Sequence, residues 1–197
     1  MSARKLTAGL ALRLRRSPLP GPLAAPVAGA LARSSQNRPA MTAAAIRPIS
    51  PDPDWRARLL ETPAAIAALL ARVHRIAVLG IKTPESMQPA FYVPKYAQRA
   101  GYEIVPVPVY YPEVTEILGA PVYRRLVDVP GPIDLVNVFR RPKDLPAHLD
   151  DILAARPHAV WLQSGIYDDA FAERLAREGI AVVQDRCLMV ELRGMGR

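Results

Sequence analysis

The chain has 197 residues, 50% of them hydrophobic, a single cysteine (Cys187) and a formal net charge of +8. That length carries one good core and an accessory segment. The composition excludes a wholly disordered chain, no apolar run approaches the roughly 20 residues that span a bilayer, and one cysteine excludes an intramolecular disulfide or a thiolate metal cluster.

The charge points to nucleic acid only until it is located. Residues 1–51 hold eight Lys or Arg and no Asp or Glu, whereas residues 52–197 hold 18 basic and 18 acidic residues. Residues 1–51 therefore read as a disordered basic extension and residues 52–197 as the folded domain. The extension is rich in Ala, Pro, Leu, Ser and Arg, with SPLPGPLAAP in its middle. Such a segment buries too little surface to offset the entropy of ordering it. Three readings of it stay open: an organellar transit segment, Arg-rich and acid-free; a start upstream of a true initiator at Met41; and a basic arm for anionic surfaces. Arg13, Arg15 and Arg16 interrupt the apolar stretch that a secretory signal needs. The expected compartment is cytoplasmic, with an organelle as the alternative if residues 1–40 are a transit segment.

A first helical region spans about Trp55 to Val73, with Thr62 as an internal cap and Pro63 after it, where a missing N–H costs nothing. Ile66, Leu69, Leu70 and Val73 form its apolar face. From Arg75 the rhythm becomes α/β. RIAVLG is a short buried strand, and FYVPKYAQRAG a helix starting near Phe91 so that Pro94 falls in its first turn. YEIVPV is a second strand, ending at Val105 or Val107 because of Pro106 and Pro108. A long connection follows, with a short strand or turn near Val122 and Tyr123. IDLVNVF is the next strand, and Pro146 opens a helix bearing Leu149, Ile152 and Leu153. HAVWLQSG is a strand, YDDAFAERLAREG a helix capped by Asp168 or Asp169 and stopped by Gly179, and IAVVQDRC the last strand before a short helix around Leu188–Leu192. Strands that are apolar without alternation are buried on both faces. Connections this long cross over, so the fold class is an open parallel sheet in a Rossmann-like three-layer sandwich.

In such a sheet ligands bind at the carboxyl ends of the strands. Four loops lie there. GIKTPES offers Gly80 for close backbone approach, the backbone at Ile81, Lys82 as a point charge for phosphate and the hydroxyls of Thr83 and Ser86. It lacks both the Gly-Lys-Ser/Thr of a P-loop and the repeated glycines of a dinucleotide fingerprint. FRRPKDLP puts Phe139, Arg140 and Arg141 directly after a buried strand, with the arginines either clamping phosphate or bonded to Asp144 or Asp150. WLQSGIYDD presents Gln163, Ser164 and Gly165, and is not a nucleophile elbow because glycine is missing two residues before Ser164. DRCLMVE places Cys187 near a helix start, but no base is near it in sequence, so it reads as a small buried hydrophobe. His74, His148 and His158 do not converge with acids or Cys187 into a metal set.

The segments IAVLG, YAQRAGYEIVPV, EILGAPVYRRLVDVPGPIDLVNVFRRP, VWLQSGI and GIAVVQDRC, from about Arg75 to Glu191, together resemble the stand-alone CoA-binding domain family. That family is similar to the N-terminal Rossmann-like domain of the succinyl-CoA synthetase alpha subunit. The resemblance implies binding of coenzyme A or an acyl-CoA, with Gly80 and Thr83 near the cofactor, the Phe139-Arg140-Arg141-Pro142 motif as a ligand-facing wall, and Gln163, Ser164 and Gly165 as a pocket loop. The family's usual Pro-Val-Asn-Pro after the second strand is Pro106-Val107-Pro108-Val109 here, so the asparagine contact is missing. The larger synthetase subunit has a second domain carrying a phosphorylated histidine, for which these 197 residues leave no room, so ligase activity by this chain alone is not expected.

The expected site residues are thus Gly80, Ile81, Lys82, Thr83, Val107, Phe139, Arg140, Gln163, Ser164 and Gly165. No catalytic or metal-ligating residue is expected, and the function expected is binding of a small-molecule nucleotide. Two alternatives stay open: a nucleotide-dependent oxidoreductase or transferase, and a regulatory interaction protein with a vestigial pocket. A homodimer is an open expectation, nucleic acid is disfavoured and no membrane partner is expected.

Overall fold

The computed structural model describes residues 54–197; the expectations for residues 1–51 lie outside the described residues. Trp55–Arg58 forms a 3-10 turn and Pro63–Leu70 forms helix α1. The Thr62 hydroxyl accepts a hydrogen bond from the Ala65 N–H at 3.2 Å, and Pro63 opens the helix, so the expected cap is the real one. The sheet is built from β1 (Arg75–Leu79), β2 (Glu103–Val107), β5 (Leu135–Val138), β6 (Ala159–Leu162) and β7 (Ala181–Val183). Its order is β2-β1-β5-β6-β7, with every neighbouring pair parallel. The chain runs outward from β1 to β2, then returns across the sheet to β5 and continues the other way. The strand order therefore reverses between β1 and β5, which is where a crevice for ligands opens in this architecture.

Helices cover both faces, completing three layers. Helix α1, α2 (Pro89–Arg99) and α5 (Leu188–Gly194) bury Leu70, Phe91 and Leu192 against Ile76, Val78, Leu135 and Trp161. Helix α3 (Leu149–Ala155) and α4 (Asp169–Arg177) bury Ile152, Phe171 and Leu175 against Leu79, Val136, Val138, Val160 and Leu162 on the other side. Successive strand residues point to opposite faces, and both faces are apolar here, so the strands lack a polar rhythm.

Several boundaries differ from the sequence reading. Helix α2 starts at Pro89, not near Phe91, because Pro89 takes the first helical position and Gln88 O accepts from both Phe91 N and Tyr92 N. Pro94 consequently lies inside the helix. The short strand sought at Val122 and Tyr123 is instead an antiparallel hairpin, β3 (Glu116–Ile117) and β4 (Ala120–Pro121), whose turn residues Leu118 and Gly119 have φ of 56° and 75°. A two-residue hairpin turn wants positive φ at both positions, which moves the pairing toward Gly119. Pro146 does not open α3 but lies within a 3-10 stretch, Pro142–His148, that precedes it.

Strand β2 does run through Pro106 to Val107. It is an edge strand, and Pro106 O accepts from Tyr123 N on its outer side, while Val107 O accepts from Gly80 N on its inner side. In a strand the N–H and C=O of one residue face the same way, so the N–H that proline lacks would have pointed away from the sheet.

Candidate functional site at the carboxyl ends of the strands

The ends of β1, β2 and β5 meet around Gly80. Its φ is +85°, and a Cβ built there would lie 2.5 Å from Phe139 O and 3.2 Å from Arg140 Cδ. Gly80 N donates to Val107 O at 2.8 Å, and Phe139 N donates to Leu79 O at 2.9 Å. The glycine lets three strand exits close on one another: what approaches it in this structure is the backbone of β5. Ile81 and Val107 are each 1% exposed and point into the two cores, so only their backbones border the site.

Above this floor sits a cluster of cations and rings. Lys82 Nζ lies 4.4 Å from the Tyr110 ring centre and 5.3 Å from that of Tyr111. The two rings meet edge to face at 6.5 Å. The Arg140 guanidinium carbon lies 5.6 Å from the Tyr110 ring on the β5 side. Hydrogen bonding to Arg140 and its charge, helped by Arg141 and Lys82, hold the Tyr110 hydroxyl below its usual range. No ion pair among the described residues neutralises Lys82.

Arg140 and Arg141 diverge. The Arg140 side chain is 12% exposed; its Nε donates to His148 Nε2 at 3.1 Å and an Nη reaches Asp144 Oδ2 at 3.4 Å. Arg141 is 67% exposed and donates from Nε to the same Asp144 oxygen at 2.8 Å. That bond, with the charges of both arginines and Lys143, keeps the Asp144 carboxyl below its ordinary range. One arginine therefore faces the cluster while the other faces solvent. His148 accepts a hydrogen bond at Nε2, so it is neutral, and burial and the Arg140 charge both push its pKa down.

The remaining expected residues play separate parts. Thr83 bonds through its side chain to Glu85, lowering that carboxyl, and Thr83 O accepts from the Ser86 hydroxyl at 2.8 Å. The β1–α2 loop is thus closed largely by its own groups. Gln163 is 4% exposed: its Nε2 donates to Asn137 Oδ1 at 2.7 Å and its Oε1 accepts from Leu188 N at 3.4 Å. Its amide ties β5, β6 and α5 together rather than reaching solvent. The Leu188 N–H fixes which way the Gln163 amide points, which in turn fixes Asn137 and leaves its buried Nδ2 without a partner among the described residues. Ser164 and Gly165 are exposed at the tip of the β6 exit, and Gly165 N donates to Asp185 Oδ1 at 2.7 Å. Phe139 is partly exposed and packs against the α2 side of the core. The structure therefore brings together Gly80, Lys82, Phe139 and Arg140; Ser164 and Gly165 stand at a neighbouring exit.

Sequence reasoning missed Tyr110 and Tyr111 as members of the cluster. Their signal was two adjacent aromatic residues directly after a strand, where the expected asparagine was absent. It also missed His148, which is legible only through Arg140. Cys187 is half-buried before α5. Among the described residues no group of acids, His and Cys is arranged to hold a metal ion, and no helix is long and apolar enough to cross a membrane. A wide cleft of about 1410 Å³ lies at the opposite end of the sheet, beside Val73, Asp134 and His158, and a recess of about 420 Å³ borders Tyr167, Gln184 and Asp185. Neither opens at the reversal of strand order, where the polar cluster stands.

An open parallel sheet, with cations and aromatic rings gathered over the point where its strand order reverses, defines a Rossmann-like α/β domain. The chain belongs to the CoA-binding domain family, whose model, described as a CoA binding domain, matches residues 74–193. A Bacillus subtilis protein described as uncharacterized protein YneT is 36% identical over 127 residues, covering 64% of this chain and 91% of the relative. Among solved structures, a Thermus thermophilus protein described as cell-free ID.343 is 41% identical, with a TM-score of 0.63 over 68% of this chain and 99% of that one. A hypothetical protein from Pyrococcus horikoshii OT3 is 28% identical, with a TM-score of 0.63 over 70% and 94% of the two chains.

Proposed function

We propose that this protein binds coenzyme A or an acyl-CoA over the carboxyl ends of β1, β2 and β5, as a binding protein without catalysis of its own. The observation that carries this reading is the convergence of Lys82, Tyr110 and Arg140 from three successive strand exits, in a chain of the CoA-binding domain family. The cations suit phosphate groups: Lys82 as a point charge and Arg140 as a planar fork. The exposed faces of Tyr110 and Phe139 suit the adenine ring or the pantetheine chain. Gly80, Ile81 and Val107 supply backbone walls, Thr83 and Ser164 hydroxyls at the rim, and Gly165 room at the β6 exit. Gln163 keeps the floor in register. The domain that does this runs from about residue 52 to residue 197.

The test is a titration of the full chain with CoA, repeated for Lys82→Ala and Arg140→Ala. Each variant is expected to weaken binding about tenfold, equivalent to about 1.4 kcal/mol. Unchanged affinity in both variants would remove the cluster from the ligand site.

A further inference from the structure

We propose that Pro94 is a positioning residue for the ligand site, acting through a helix carbonyl that it leaves free for the backbone of Lys82. This rests on the reading of Lys82 as a phosphate contact. In an α-helix each N–H donates to the carbonyl four residues earlier. Pro94 has no N–H, so the carbonyl of Ala90 has no donor at that position of the helix. In this structure Ala90 O accepts instead from Lys82 N, at 3.1 Å.

The consequence is local and directional. Ile81 is 1% exposed and anchors the loop on the core side. The bond from Lys82 N then fixes the next residue against the first turn of α2. From there the Lys82 side chain reaches Tyr110 and Tyr111. A buried proline within a helix otherwise stands as a defect; here the carbonyl it frees is the one that holds the backbone N–H of the residue bearing the cation. Pro89, by contrast, occupies the first position of α2 and is exposed. Its missing N–H leaves no helix carbonyl without a donor.

A residue at 94 with an N–H gives Ala90 O its intrahelical partner, and Lys82 N then competes for the same oxygen. The test uses the full chain with Pro94→Ala and Pro94→Val, which share the restored N–H but differ in volume, and with Pro89→Ala as control. Amide hydrogen exchange at Lys82 is expected to accelerate at least tenfold in both Pro94 variants and not in the control. CoA affinity is expected to fall three- to tenfold, and the salt dependence of binding to flatten as it does in Lys82→Ala, because one cation no longer meets the ligand. Unchanged exchange at Lys82 would overturn the proposal. So would accelerated exchange with unaltered CoA affinity. In that case a weakened Lys82→Ala variant would leave the site reading standing, and an unweakened one would remove Lys82 from the site as well. If one variant fails to fold, the other decides.

Discussion

Replacing Gly80 by alanine tests how the strand exits are held together. The residue has φ +85°, a region that costs an L side chain about 1–2 kcal/mol. The new Cβ would also lie 2.5 Å from Phe139 O and 3.2 Å from Phe139 C, both backbone atoms of the adjoining strand exit. Those atoms move only if β1 and β5 separate beside the hydrogen bond from Phe139 N to Leu79 O. Overpacking of this kind costs about 1–3 kcal/mol. The sum is a loss of about 2–5 kcal/mol. In a domain of this size that corresponds to a fall in Tm of very roughly 5–15 °C. The assay is urea unfolding of the full chain, followed by tryptophan fluorescence and by circular dichroism. Gly101→Ala is the comparison: its φ is +95°, but nothing lies within 4 Å of an added Cβ, so only the conformational part of the cost applies. Equal losses in the two variants would refute the close approach of β5 as the reason for glycine at position 80.

Further predictions follow from buried and charged groups elsewhere. Asp134 Oδ2 accepts from both His74 N and Arg75 N at 2.9 Å, so Asp134→Ala is expected to cost about 1–3 kcal/mol in urea unfolding, and a loss under 0.5 kcal/mol would count against it. Burial opposes ionisation of that carboxyl, but the two N–H bonds and the nearby His158 and His74 outweigh it and bring its pKa below the ordinary value. Its contribution to stability is therefore full above the unfolded value near 3.9 and is lost as pH falls through the lower folded value; the stabilities of wild type and variant should differ most above that range and converge as pH falls through it. His148 has the opposite ionic form to lose: burial and Arg140 disfavour its proton in the native state, with Asp144 and Asp151 acting the other way. Stability from the neutral ring is full above about 6.5 and declines as pH falls below that toward the folded value. An NMR titration of His148 that gives a value at or above 6.5 would contradict the Arg140 Nε to His148 Nε2 bond. For the Asn137–Gln163 bond, a double-mutant cycle with Asn137→Ala and Gln163→Ala is expected to give a coupling of about 1 kcal/mol or more, and additive effects would remove it from the core.

The order and type of the sheet elements were readable because their signals are local. Each strand is a short apolar run ended by polar or small residues, Thr62 and Pro63 mark the start of α1, and Gly179 stops α4. Positions set by another segment were not readable. Whether Pro94 breaks a helix depends on whether some distant donor takes the Ala90 carbonyl, and that donor is Lys82. Gly80 was read as room for a ligand, whereas the nearest approach to it comes from a strand that begins more than fifty residues later. Gln163 followed an apolar strand in a manner that suits a pocket, but Asn137 and Leu188 engage its amide. Lys82 and Arg140 were found as charges after strands. Their shared ring, Tyr110, became visible only once β2 was placed at the edge beside β1.

The most direct test of ligand class is calorimetric titration of the full chain with CoA, with NAD and ATP as controls at the same ionic strength. Micromolar binding of CoA that exceeds both controls by tenfold or more is the predicted result. A folded protein that binds none of the three, or that binds NAD or ATP as tightly as CoA, would contradict the assignment of Lys82, Tyr110 and Arg140 to a CoA site.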